Sequence, residues 1–193
     1  MNIFCKKLDK DYTKRELSEI AGLIYDTDPY IYPAMFQTRE HALEIIPKMI
    51  VANDTMFCED NLYVAKNSEK IVGIVLWHRG PLSWSADTYF ACGGDSPHID
   101  EVRLKYFASY SETKASVVSL INVCTSIHGH GIGSELLRSF LREVEGPYEL
   151  FVLSDNASAI KLYEKVGFSI TQQMQGFSLT EPNPSCFQMV SDA

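Results

Sequence analysis

Between Val117 and Gly167 the hydrophobic period switches twice from strand to helix, which calls for a sheet with helices packed on it. Val117 to Thr125 (VVSLINVCT) is a continuous apolar run of strand length. A glycine-rich turn follows, after which Leu136, Leu137, Phe140, Leu141 and Val144 share one helical face. Tyr148 to Leu153 is a second strand. Asn156 to Val166 is a second helix that stops at Gly167, a residue suited to a left-handed C-terminal cap. Upstream, Asn2 to Leu8 reads as a strand, and Thr13 to Glu16 has capping-box spacing ahead of Leu17, Ile20, Leu23 and Ile24. The prolines of Tyr25 to Pro33 (YDTDPYIYP) break that helix, and the next, from about Thr38 to Val51, is expected to be interrupted or kinked near Pro47. Asn61 to Ala65 and Ile71 to Trp77 flank a polar turn as an antiparallel hairpin, and two last strands lie around Phe168 to Met174 and Cys186 to Val190. This order implies an α/β protein with a mixed central β-sheet flanked by helices.

A chain of 193 residues suits one domain and is short for two, so residues 1–193 are read as one. The stretch 80–116 fits least well. It carries Pro81, Gly93-Gly94 and Pro97, a helix from about Ile99 to Tyr110, and little apolar patterning, and is read as an insertion lying on the surface. The net charge of −8 disfavours binding to nucleic acid or an anionic membrane surface and favours cations such as protonated amines. Five cysteines without a C-x-x-C pair fit a reducing cytoplasm rather than a disulfide framework or zinc ribbon. The opening MNIFCKKLDK lacks a signal-peptide core, and no apolar run reaches the roughly 20 residues of a membrane helix. A cytoplasmic monomer or homodimer is expected.

The turn Ser126 to Ser134 (SIHGHGIGS) lies between the clearest strand and the clearest amphipathic helix. Alternate glycines let its backbone N–H groups approach a ligand closely, and the helix behind it adds a positive dipole end. Together these suit a phosphate or pyrophosphate. The turn is neither a Walker loop, since Gly-Lys-Ser/Thr is absent, nor a dinucleotide fingerprint, since Ser134 stands where a third glycine belongs. Thirty residues on, Asn156 and Tyr163 are seven apart and project from one side of a helix.

These two segments resemble the GNAT superfamily of N-acetyltransferases. The acetyl-coenzyme A loop pattern Arg/Gln-x-x-Gly-x-Gly/Ala matches His128 to Gly133, with His128 standing where Arg or Gln is usual. The pattern Asn-x-x-Ala-x-x-x-Tyr-x-x-x-Gly-Phe matches Asn156 to Phe168 at every fixed position. The resemblance implies the GNAT fold and direct transfer of an acetyl group from acetyl-coenzyme A to a small-molecule or peptide amine. It implies that the Val123–Thr125 backbone pairs with the pantetheine arm and that the Val123 N–H stabilises the tetrahedral oxyanion. By position, His128, Gly129, His130, Gly131, Ile132, Gly133 and Ser134 hold the pyrophosphate. Asn156, with Ala159 on the same helix, meets the pantetheine, and Tyr163 lies near the sulfur as general acid to the leaving thiolate. The same family topology sets the turn YDTDPYIYP and the loop Thr180 to Pro184 beside the acceptor.

No base is evident from the sequence. His78, just past Trp77, is one candidate, and Asp100 and Glu101 at the start of a helix are others. Asp26 and Asp28, set among Tyr25, Tyr30 and Tyr32, suit a cationic amine by charge and cation–π contact. No metal is expected, because His128 and His130 have no second ligand pair at site spacing, and Cys124 in an apolar strand reads as buried and inert. An alternative to the enzyme is an acyl-coenzyme A sensor or scaffold of the same fold, which amine turnover would separate.

Overall fold

A computed structural model describes residues 3–52, 55–80, 85–105, 113–176, 178–179 and 182–192. Strand β1 (Phe4–Lys7) leads to helix α1 (Lys14–Tyr25), whose N-terminus carries the expected capping box: the Thr13 hydroxyl accepts from Glu16 N–H, and the Glu16 carboxylate accepts from Thr13 N–H. The turn after α1 is not wholly irregular. Ile31–Phe36 forms a short helix, α2, and Pro33 sits in its first turn, where a missing N–H is harmless. Helix α3 (Arg39–Val51), capped by Thr38, runs through Pro47 without interruption.

The hairpin β2 (Leu62–Lys66) and β3 (Ile71–Arg79) is followed by α4 (Ala86–Ala91), α5 (Ile99–Lys105) and β4 (Ser116–Val123). Helix α6 (Ile132–Glu143), β5 (Tyr148–Leu153), α7 (Ala157–Lys165), β6 (Ser169–Gln175) and β7 (Ser185–Ser191) complete the order. The strands form one seven-stranded sheet, β1-β2-β3-β4-β5-β7-β6, in which only β4 and β5 are parallel. One face carries α1 to α5 over Ile20, Ile24, Phe36, Ile46 and Leu120, and the other carries α6 and α7 over Val75, Leu136, Phe140, Tyr148 and Tyr163. Burying each such aliphatic or aromatic side chain contributes roughly 1.5–3 kcal/mol, which is why the amphipathic faces fix the layers.

The segment 80–116 is not a surface insertion. Tyr89, Cys92, Ile99 and Val102 are buried in the same cluster as α1, α2 and α3. The Tyr89 hydroxyl donates to Met35 C=O and accepts from Ser96 N–H at 3.0 Å, while Lys48 Nζ donates to Cys92 C=O at 3.1 Å. A few well-spaced apolar residues and polar anchors to α2 and α3 do what a longer apolar pattern would do elsewhere. The expected continuation of α5 to Tyr110 lies outside the described residues.

The sheet opens at one place. Ser116, Val117 and Val118 of β4 pair with Tyr148, Glu149 and Leu150 of β5, and there the parallel ladder ends. On the other edge of β4, Leu120 pairs with Leu76 and Val118 with Trp77, so Ser119 is an extra residue, a bulge. A bulge bends its strand and raises its twist, and this one falls where β4 leaves β5. Beyond it β4 follows β3 while β5 follows β7 as far as Leu153, leaving a cleft between the two.

Candidate active site

The cleft is a cavity of about 550 Å³. The residues 119–123 of β4 and Phe151, Val152 and Leu153 of β5 form two walls, the turn after β4 and the start of α7 form one end, and Thr27, Asp28 and Tyr32 form the other. The backbone of β4 supplies hydrogen-bonding groups to it. Cys124 N–H donates to Val72 C=O at 2.8 Å, so period-two alternation sends the amides of Asn122 and Cys124 to β3 and those of Ile121 and Val123 into the cleft. The strand ends at Val123, two residues earlier than the sequence suggests. Thr125 belongs to a 3-10 turn (Thr125–Ile127) and borders a neighbouring cavity instead, because the chain must curl to enter the glycine loop.

Gly131 adopts a left-handed conformation (φ 77°), which a residue without Cβ takes at little cost, and it is the N-cap of α6. It has no side chain with which to cap the helix. The ladder begins with Glu135 N–H on Gly131 C=O at 3.1 Å, so Ile132, Gly133 and Ser134 offer amides without helical acceptors at the cavity wall. Gly129 (φ 80°) and the ring of His128 complete this end. The ring Nε2 of His128 meets Val123 C=O at 2.6 Å, tying the loop to the end of β4. His130 does not reach the cavity: its Nδ1 turns back onto the carbonyls of Ile127 and His128 at 3.2 and 3.0 Å.

Helix α7 brings Asn156, Ala159, Leu162 and Tyr163 to the opposite side. The Asn156 side-chain oxygen is engaged as the helix cap, accepting from Ala159 N–H at 3.1 Å and from the Ser158 hydroxyl at 3.0 Å, so it shapes the wall rather than offering that oxygen to a ligand. Tyr163 is 7% exposed, with its ring 6.1 Å from that of Phe168. Its hydroxyl has no partner among the described residues, and burial pushes the phenol above its ordinary value, so it keeps its proton at neutral pH.

At the other end only part of the expected acceptor cluster is present. Asp28 lines the cavity; Asp26 does not, because its carboxylate is held bidentately by Arg39 at 3.0 and 3.1 Å over the neighbouring cavity. Tyr30 is exposed and outside the cavity, whereas Tyr32 of the same expected cluster lines it. His78 is buried on β3 away from the cavity, with Nδ1 3.0 Å from Gly80 C=O and its imidazole pushed down by desolvation. Asp100 and Glu101 of α5 line neither cavity. Thr180 and Glu181 lie outside the described residues.

Cys124 is half-buried beside the second cavity rather than inert in a core, with its thiol lowered chiefly by the Ser126 hydroxyl. Ser119, Ile121, Phe151 and Leu153 were also missed: their apolar runs look like any buried strand, and nothing local marks where two strands separate. Among the described residues no group of three or more His, Cys, Asp or Glu could hold a metal, and no helix is long and apolar enough to cross a membrane.

A mixed sheet splayed between parallel strands, with a left-handed glycine opening a helix at the splay, defines an acetyl-coenzyme A-binding acyltransferase. Residues 31–168 match the model of the acetyltransferase (GNAT) family, and the chain belongs to that family. Its members use acetyl-coenzyme A as co-substrate, and the free β4 edge and the uncapped α6 amides fit that ligand. An N-acetyltransferase from Staphylococcus aureus Mu50 is similar over 97% of this chain and 99% of its own, with a TM-score of 0.70 at 18% identity. Arabidopsis thaliana Naa50, solved in complex with the bisubstrate analogue CoA-Ac-MVNAL, aligns over 99% and 98% with a TM-score of 0.57 at 18% identity. The ribosomal-protein-S18-alanine N-acetyltransferase of Escherichia coli aligns over 98% and 93% with a TM-score of 0.56 at 13% identity. No curated protein matches the chain significantly.

Proposed function

We propose that the chain transfers the acetyl group of acetyl-coenzyme A directly to a primary amine, with Tyr163 as general acid. One observation carries this reading: a buried, protonated phenol with no partner among the described residues faces the cleft between β4 and β5. In this reading the backbone of Ile121 and Val123 holds the pantetheine arm as an added strand, and the Val123 N–H stabilises the carbonyl oxygen as charge develops on it. The segment from His128 to Ser134 receives the pyrophosphate, chiefly on the uncapped amides of Ile132, Gly133 and Ser134. Tyr163 then protonates the departing thiolate. The walls that raise the phenol also desolvate the thiolate, so the two groups remain matched for proton transfer. Asp28 and Tyr32 border the acceptor, and the GNAT relatives solved with peptide-based ligands make a peptide amine as reasonable a candidate as a small molecule.

Acetyl-coenzyme A at millimolar concentration should raise the melting temperature by preferential binding to the folded chain. Gly131→Glu, which adds bulk and negative charge at the phosphate end, should abolish the shift, whereas Gly131→Asn, tolerant of the left-handed conformation, should retain most of it. A wild-type chain that shows no shift sinks the assignment. Release of free thiol with an amine panel then separates an enzyme from a sensor.

A further inference from the structure

The acceptor arrives as an ammonium ion and must lose a proton before it can attack, yet neither His78, Asp100 nor Glu101 reaches the cavity. Glu149, a buried carboxylate on β5, is engaged by Gln188 Nε2 at 2.7 Å and also lies outside it. We infer that Asp28 is the general base of the acetyl transfer, taking the first proton from the acceptor's ammonium group. This inference rests on the acetyl-transfer reading above.

Asp28 is the only carboxylate among the described residues that line the cavity, and it belongs to the turn between α1 and α2, an element separate from the glycine loop. One carboxylate oxygen, Oδ1, is occupied, accepting from Tyr30 N–H at 2.7 Å and Ile31 N–H at 2.8 Å. Those two bonds fix the carboxyl group and leave Oδ2 for a ligand. Among the described residues no lysine or arginine lines the cavity to neutralise it. Cys186 of β7 lies within electrostatic reach of Asp28 and of Asp155, Tyr30 precedes α2 as its N-cap, Tyr32 and Tyr163 line the same cavity, and Asp26 is turned away to Arg39. Desolvation is the largest influence on Asp28 and raises its carboxyl above the ordinary aspartate value despite the two backbone donors. A carboxylate raised in this way is a better proton acceptor, and an ammonium ion supplies the missing counter-charge.

The proton balance closes with the residues present. Asp28 accepts one proton from R–NH3+ and later releases it to solvent. The amine lone pair forms the C–N bond to the thioester carbonyl, the C–S bond breaks with its electron pair going to sulfur, and Tyr163 donates its proton there. The second N–H proton leaves through solvent and restores the phenol. Amide and free thiol result, with one net proton released.

Asp28→Asn is a clean test because an asparagine oxygen can accept the same two backbone N–H bonds. Thermal stability and the acetyl-coenzyme A shift should be unchanged. With wild type, log kcat/KM for a primary amine should be flat between the carboxyl pKa and the ammonium pKa. Asp28→Asn must instead use the free amine. Its activity should be at least about 100-fold lower at pH 7 and rise about tenfold per pH unit towards the amine pKa, and Asp28→Glu should restore part of the flat region. A purely structural role would lower the line without tilting it. An Asp28→Asn profile parallel to wild type overturns the inference and leaves acetyl transfer standing. A wild-type chain that releases no thiol with any amine overturns both.

Discussion

Replacing Tyr163 by phenylalanine removes one proton donor and little else. The ring is 7% exposed and packs against Phe168, and its hydroxyl bonds to no described residue, so phenylalanine keeps the packing and leaves no new orphan. Stability should therefore stay within about 0.5 kcal/mol, less than about 2 °C in melting temperature for a chain of this size. The chemical consequence is larger. General acid catalysis typically contributes 10²–10⁴-fold, roughly 2.7–5.4 kcal/mol of barrier, and the leaving thiolate here would depart unprotonated into a dry cleft. Single-turnover release of thiol from pre-bound acetyl-coenzyme A isolates that step from product release and should slow by at least about tenfold. Because burial holds the phenol above its ordinary value, it remains protonated through the neutral range. The wild-type rate should thus show no descending limb from Tyr163 below about pH 10. An unchanged single-turnover rate in Tyr163→Phe would leave the phenol a packing residue and refute the reasoning. Equal losses of rate and stability would point to the same conclusion.

Two further outcomes test the framework. Tyr89→Phe takes the phenol from Met35 C=O and Ser96 N–H in the core, and should cost about 1–3 kcal/mol in urea or thermal unfolding. A loss under about 0.5 kcal/mol would return 80–116 to the surface. Glu16 is held down to about 2, chiefly by the Lys66 ammonium and then by Thr13 N–H. A depressed carboxyl stabilises the fold above the unfolded-state glutamate range and loses that contribution as pH falls through about 2. With the half-exposed lysine screened by solvent, Glu16→Gln should cost about 1–2 kcal/mol at pH 7, and the difference from wild type should vanish in acid. A pH-independent difference would assign the effect to the capping box alone.

What the sequence reveals about this chain, and what it hides, divides along a physical line. The capping box at Thr13, the hairpin around Asn67, the α6 face of Leu136, Leu137 and Phe140, and the stop at Gly167 follow from contacts within one or two turns, and all are present. The glycine loop and Tyr163 were legible for the same reason: each motif is short and its geometry local. Errors arose where a position depends on another part of the chain. Thr125 and His130 carry the right spacing, but whether either residue borders the cleft depends on how β4 curls after Val123. Asp26 and Asp28 are equivalent in a list of acids near a turn; Arg39 on α3 claims one and leaves the other to the cavity. His78, at a strand end, reads as available in the sequence, but it is buried and its ring is turned to the Gly80 carbonyl.

The splay has the same character. Ser119 differs from its neighbours only in lacking a partner on β3, a fact of register that no property of serine announces. Yet that one extra residue falls where β4 parts from β5, and beyond it the amides of Ile121 and Val123 face the cleft instead of a ladder partner. It also opens a passage that sets Tyr163 and Asp28 on one cavity. Tyr163, the proposed acid, belongs to a motif and Asp28, the proposed base, does not, because a motif records what many chains need in one place. An acceptor-side carboxylate answers only to the amine this chain receives. The cofactor half of such a site is therefore readable in sequence, and the acceptor half has to be read from packing.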